Sequence, residues 1–212
     1  FKQSGETDVA QFVGTTLKNF IGGDKHTFNP QDVVLYGFGR IGRIAARELV
    51  KQAGKGQQLR LRAIVLRSVN DDEVVKRAAL LRNDSVHGAF KGSVIEDFAN
   101  KAIWINGQMV KLIAANSPEE IDYTAHGITN ALVIDNTGVY TKRADLARHL
   151  KSKGVSKVLL TAPGKEMPNV VYGINHKDLD IENEQLFSAA SCTTNAICPV
   201  LKVIEDNLGI VR

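Results

Sequence analysis

The stretch "VVLYGFGRIGRIAAREL" limits what this chain can become more than any other. An apolar run, Val33 to Tyr36, reads as a buried strand. Three glycines follow as G-x-G-x-x-G, and an amphipathic helix opens at about Ile41. The glycine pattern has little meaning alone; between a strand and a helix it describes the phosphate turn of a dinucleotide-binding βαβ unit. Gly37 allows the tight turn, Gly39 lets the backbone approach a pyrophosphate, and Gly42 lets helix and strand pack closely. The amides of Arg40 and Ile41 would then face the phosphates at the positive end of the helix.

The rest of the chain supplies the sheet that such a turn needs. "LRLRAIVLR" reads as a second strand, and "NDDEVVKRAALL" as a helix with acids in its first turn. Two β-rich runs flank Asn106-Gly107, a strong hairpin signal. "NALVIDNTG" and "SKVLLTAPG" read as buried strands, separated by "KRADLARHLKSKG", a basic-ended amphipathic helix closed by Gly154. A short extended segment, "QLFSAASC", leads into a last helix that ends near Asn207. Strands alternating with helices predict an α/β fold, a Rossmann-type, doubly wound, mainly parallel sheet. The expected organisation is an extension over 1–31, a nucleotide-binding domain over 32–190, and the first helix of a second, catalytic domain over 191–212. Val9, Phe12, Val13, Leu17, Phe20 and Ile21 have the spacing of one amphipathic helix within the extension. The chain opens on Phe1 and stops at Arg212 just after a turn, so it is expected to be a piece of a longer polypeptide.

Bulk properties narrow the class. The chain is 43% hydrophobic over 212 residues with a formal charge of +4. No Lys/Arg run with interleaved aromatics predicts a nucleic-acid groove. No apolar run approaches about 18 residues, so no membrane helix is expected. Two cysteines, Cys192 and Cys198, make neither a disulfide framework nor a zinc site, and a reducing, intracellular compartment is the simplest expectation. The histidines have no metal-ligand spacing, so no metal is expected. His87 and His176 read as structural or surface residues.

The end of the second strand should choose the dinucleotide. An acid there would bind the adenosine ribose hydroxyls, whereas an arginine suits a 2′-phosphate. Residues 57–67 hold no acid, and the strand closes on Leu66, Arg67 and Ser68. The cofactor is therefore NAD or NADP, with Arg67 favouring NADP or dual use. Asp71 and Asp72 come next and are the acids that could fold back.

"SCTTN" sets Cys192 at the start of the last helix, among hydroxyls. A helix N-terminus favours anions, a thiolate included. A thiolate can add to an aldehyde, making a tetrahedral adduct whose hydride can leave, and the resulting thioester is open to attack by phosphate. Ser191 and Thr193 can donate to an oxyanion or a phosphate. Thr194 or Asn195 could serve as the helix cap, and the cap reading is preferred for Thr194. Pro199 fits if the regular helix starts near Asn195, or if the helix bends there. Cys198, further along, reads as core packing.

Taken in order, "GFGRIGR", "NDSVHG", "DNTGVY", "TAPGK", "GINH", "SCTTN" and "PVLKVIEDNLGI" resemble the phosphorylating glyceraldehyde-3-phosphate dehydrogenase family, from Asp32 to Arg212. The resemblance implies a cytoplasmic homotetramer of glycolysis or gluconeogenesis. It would oxidise glyceraldehyde 3-phosphate with NAD(P) and inorganic phosphate. Erythrose 4-phosphate is the alternative aldehyde, and a non-catalytic nucleotide-binding module the alternative role. The resemblance makes Cys192 the nucleophile, gives Ser191 and Thr193 to substrate or phosphate oxygens, and Arg40 and Ile41 to the pyrophosphate. It sets Thr137 and Gly138 on the nicotinamide side, makes Thr161 a cofactor contact, and puts Asn116 near the adenine. Three features depart from the family. Tyr36 stands where an Asn is usual. The acid after the second strand is missing, unless Asp71 is its equivalent. The N-terminal extension has no counterpart in the common form. The family's catalytic histidine would fall beyond Arg212.

Overall fold

The structure is a computed structural model that describes residues 8–16, 18, 30–52 and 58–211. Helix α1 (Val9–Thr16) matches the first half of the expected amphipathic helix; Leu17, Phe20 and Ile21 lie outside the described residues. Strand β1 (Gln31–Tyr36) leads through the glycine turn into α2 (Arg40–Lys51), then β2 (Leu59–Leu66) and α3 (Asp71–Arg82). The small pair β3 (Asn83–Asp84) and β4 (Gly88–Ala89) makes a corner. Strands β5 (Val94–Asp97), β6 (Ala102–Ile105) and β7 (Gln108–Ala114) form a meander. Asn106 (φ 49°) and Gly107 (φ 80°) make its tight turn, both left-handed as that hairpin type requires. Then come β8 (Ala131–Asp135), α4 (Arg143–Leu146), β9 (Val155–Leu160), β10 (Leu186–Ser188) and α5 (Cys192–Leu208).

Eight strands form one sheet in the order β10-β9-β8-β1-β2-β7-β6-β5. The pairs from β10 to β7 are parallel, and only β7-β6 and β6-β5 are antiparallel. This is the Rossmann-type sheet that the pattern predicts. Successive residues of β1 feed opposite faces, as strand geometry demands. Val33 and Leu35 pack with Ala46, Val50, Val74 and Ala78 of α2 and α3. Val34 and Tyr36 pack on the other face with Tyr123, Ile128 and Leu146. The register slips between Val33 and Val34, which pair with Leu61 and Ala63. That slip lets Leu61 and Ile64 of β2 share one face although they are three positions apart.

The helix expected over "KRADLARHLKSKG" is two short pieces. After α4, Ala147–Lys151 continue as a tighter 3-10 turn, and Gly154 (φ 92°) turns the chain into β9. His149 is drawn fully into the protein here, against Asp135 of β8. Asn70 caps α3, its side chain accepting from Glu73 N at 2.8 Å. Among the described residues no helix is long and apolar enough to cross a membrane.

Candidate functional site

The chain order around the sheet reverses between β1 and β8. Connections run one way from β1 to β2 and the other way from β8 to β9, and ligands of such sheets bind outside the strand ends at that point. A cleft of about 300 Å³ lies there, at the carboxyl ends of β1, β2 and β7 and the loop after β8. It brings together Gly37, Gly39, Arg67, Asn116 and Thr137 from the sequence prediction. Tyr36, Ser68, Glu73, Arg77 and Tyr140 also line it, and sequence reasoning gave none of these a role.

The glycine turn meets its three demands differently. Gly37 has φ +88°, and a Cβ there would lie 2.9 Å from the Thr137 methyl. A Cβ on Gly42 would lie 2.5 Å from the Gly37 carbonyl, so this glycine serves helix–strand packing. A Cβ on Gly39 would meet nothing within 4 Å. Gly39 is extended (φ −75°, ψ −159°), so neither its backbone nor the surrounding fold demands glycine, and the space in front of it is open. Gly39 is the helix cap, without a side-chain cap bond, and its carbonyl accepts from Arg43 N at 3.1 Å. The amides of Arg40, Ile41 and Gly42 therefore precede the first intrahelical bond, at the positive end of α2. Arg40 and Ile41 are exposed. An uncapped row of donors facing open space is what a pyrophosphate fits.

Behind the cleft stands a buried pair. Asp135 and His149 are both fully buried, with His149 Nε2 2.9 Å from Asp135 Oδ2. The other carboxylate oxygen accepts from Thr137 N and Thr137 Oγ1, each at 2.7 Å. His149 Nδ1 is buried without a partner. The imidazole meets Tyr36 edge-on, with centroids 4.6 Å apart, and Tyr140 at 5.7 Å. Burial, with Tyr140 and Asp135 nearby, holds the Tyr36 phenol far above its ordinary range, so it stays neutral. Tyr36, the departure from the usual Asn, thus joins the floor of the cleft to this pair. Thr161 is not on the cleft wall. Its hydroxyl donates to the Asp135 carbonyl at 3.0 Å and lies 3.2 Å from Asn136 Oδ1, bracing the loop that carries Thr137 and Gly138. Gly138 follows at φ +69°.

The cysteine lies on different ground. Ala190 takes a left-handed φ of 57°, turning the chain sharply ahead of α5. Ser191 caps that helix. Its Oγ accepts from Thr194 N at 2.9 Å and lies 2.7 Å from Thr194 Oγ1. The cap is therefore one turn earlier than Thr194, because the serine, not the threonine, reaches the free amide. Cys192 is the first helical residue; its thiol is exposed, with Thr193 Oγ1 at 4.0 Å. The early start leaves Pro199 inside the helix. Cys198 is only half-buried, and α5 buries no residue, so Cys198 is not a core residue here. His87 bonds Asp84, and His176 Nδ1 accepts from Gly173 N. No group of three metal-ligating side chains occurs among the described residues.

Residues 31–143 match the family model described as glyceraldehyde 3-phosphate dehydrogenase, NAD binding domain. The chain belongs to the glyceraldehyde-3-phosphate dehydrogenase family. It is 53% identical over 182 residues to a glyceraldehyde-3-phosphate dehydrogenase-like protein of Pseudomonas aeruginosa (strain UCBPP-PA14), covering 85% of this chain and 39% of that protein. It is 37% identical to glyceraldehyde-3-phosphate dehydrogenases of Monascus purpureus and Zymomonas mobilis, covering 85% of this chain and 50% of each relative. The chain thus spans half or less of the length of these relatives. Within the family, the matched region is the nicotinamide-nucleotide domain, and the glycine turn, its free amides and the open space at Gly39 fit that cofactor.

Proposed function

We propose that the full-length protein catalyses the phosphorylating oxidation of glyceraldehyde 3-phosphate, with Cys192 as nucleophile. The observation that carries this reading is the exposed thiol at the first position of a capped helix, in a chain that also holds a dinucleotide cleft. The Cys192 sulfur adds to the aldehyde carbon, and the carbonyl oxygen becomes an oxyanion. Loss of hydride from that carbon leaves a thioester on the sulfur. Inorganic phosphate then attacks the acyl carbon, and the thiolate leaves, giving an acyl phosphate. When bound, the nicotinamide supplies the hydride acceptor. Thr193, exposed beside the sulfur, can donate to the substrate or phosphate; Ser191 spends its hydroxyl on the cap and holds the cysteine in place.

Arg67, exposed at the end of β2 and on the cleft wall, supports NADP over NAD. Asp71 does not answer it: its carboxylate turns to Lys101 at 2.5 Å. Family membership supports a cytoplasmic homotetramer and a second, catalytic unit that opens with α5. The test is Cys192→Ser in the full-length protein. Aldehyde oxidation should fall by about 10³-fold or more, with cofactor affinity within about twofold of the parent. Mass spectrometry should find the acyl adduct on Cys192 in the parent alone. Retained oxidation by the variant overturns the assignment.

A further inference from the structure

The cleft holds an acid that the strand end lacks. Glu73 lies in the first turn of α3, where the Asn70 cap fixes it. Its carboxylate is already occupied. Arg77, one turn on, donates to Glu73 Oε2 from Nε at 2.9 Å, with Nη2 at 2.6 Å, and Lys76 donates to Oε1 at 3.2 Å. Burial pushes the Glu73 carboxyl up, but the bonds from Lys76 and Arg77 outweigh it, and the group sits below its ordinary range. Arg77 also donates from Nη1 to the Phe38 carbonyl at 3.5 Å, so its guanidinium bridges α3 and the glycine turn. Both side chains are about one-fifth exposed, enough for a ligand to reach them. Arg67 and Ser68 line the same cleft.

A ribose 2′-hydroxyl needs an acceptor with a free lone pair and charge to spare. Glu73 gives its carboxylate to two cations and is poorly placed to serve as one. A 2′-phosphate needs the planar fork of an arginine, and a guanidinium paired with a carboxylate can exchange it for a phosphate without losing its two-pronged partner. After that exchange Lys76 still neutralises Glu73. The charges of Arg67, Lys76 and Arg77 then balance one carboxylate and the incoming dianion.

We propose that Glu73 and Arg77 form the cofactor-selecting pair of this chain: Arg77, held ready by Glu73, passes to a ribose 2′-phosphate with Arg67 as the second cation. The proposal deepens the NADP reading above and rests on it. In the full-length protein, dissociation constants for NAD and NADP are measured by calorimetry, with melting temperatures as folding controls. Arg77→Met removes a charged, hydrogen-bonded partner of the phosphate, and should lower the NAD-to-NADP ratio of dissociation constants by about ten- to a hundredfold. Glu73→Gln removes the competing anion and should raise the ratio by about tenfold. Arg77→Lys keeps the charge without the fork and should fall between parent and Arg77→Met. Ratios that stay within about twofold of the parent in Arg77→Met and Glu73→Gln overturn the proposal. If Arg77→Met unfolds, the Glu73→Gln ratio decides alone. A parent that binds NAD more tightly than NADP, with variants shifting as stated, removes the NADP reading and leaves the selecting pair standing.

Discussion

The cleft and the cysteine helix are built on opposite plans. In the cleft, groups that would meet the cofactor are braced from behind. Thr137 hangs on Asp135, Asp135 on His149, and Arg77 on Glu73, within a sheet packed on both faces. On α5 the proposed nucleophile, Cys192, has one hydroxyl at 4.0 Å, and no residue of the helix is buried. Ile197, Val200, Leu201, Val203 and Ile204 are each 39–63% exposed along it. These residues leave apolar surface exposed along α5. The contrast separates two requirements of a dehydrogenase. The cleft proposed for the cofactor is lined by described residues. The reactivity proposed for Cys192 is supported among the described residues by its helix position and the Ser191 cap.

The strongest way to break this comparison is to remove the brace. Asp135→Ala leaves His149 buried without its carboxylate and Thr137 without its acceptor. Breaking a buried, hydrogen-bonded pair from one side should cost about 3 kcal/mol or more of unfolding free energy, read from urea denaturation. Cofactor affinity should weaken with it. Cys192→Ser in the same assay should stay within about 0.5 kcal/mol of the parent, as substitutions away from packed or bonded sites do. If the two variants lose equal stability, the cleft is not braced as described.

Part of this was legible in the sequence, for local reasons. The glycine turn, the Asn106-Gly107 hairpin and the strand–helix alternation each depend on residues within a few positions of each other. So does the start of α3, where acids fill the first turn at the positive end of the helix. What could not be read comes from contacts across the fold. His149 meets Asp135 only because the chain returns beneath β8, and "ARHLKSKG" reads as plain helix until that pull is known. Tyr36 and Tyr140 are 104 positions apart, yet both pack on that imidazole. Helical spacing puts Arg77 one turn beyond Glu73, but not the direction of either side chain, so the acid on the cleft wall was missed. At α5, the choice between serine and threonine caps depended on a sharp turn at Ala190 that an alanine does not announce.

A milder test works through pH. The Asp84 side chain is fully buried and bonds Arg43 of α2, the helix that the glycine turn opens, at 2.9 Å. The His87 amide, then its ring, then the Val86 amide and Arg43 hold the Asp84 carboxyl well below its usual range, against burial. The folded group is the stronger acid, so the unfolded chain takes up the proton first, at about pH 4. Stability from Asp84 is complete above that pH and is lost as pH falls towards the folded value. Melting temperature should therefore drop between about pH 4 and pH 2, and Asp84→Asn should flatten this limb while lowering the plateau at neutral pH. An unchanged acid limb would detach Asp84 from the anchoring of α2.

The smallest effect on the fold, and the sharpest on the comparison, belongs to Gly39→Ala. At Gly42 a methyl would collide with the Gly37 carbonyl, so that glycine reports on packing whether or not a ligand binds. At Gly39 the methyl enters open space, on a backbone that alanine adopts freely. Losing a glycine there reduces the freedom of the unfolded chain, so stability should rise by up to about 1 kcal/mol or stay unchanged. Affinity for NAD and NADP should nevertheless both fall, by about tenfold, because the methyl occupies the approach to the free amides of α2. The loss should be similar for the two cofactors, unlike that in Arg77→Met, since the pyrophosphate is common to both. Unchanged affinity would mean that the open space before α2 is not where phosphate approaches, and the turn would then be a structural corner alone.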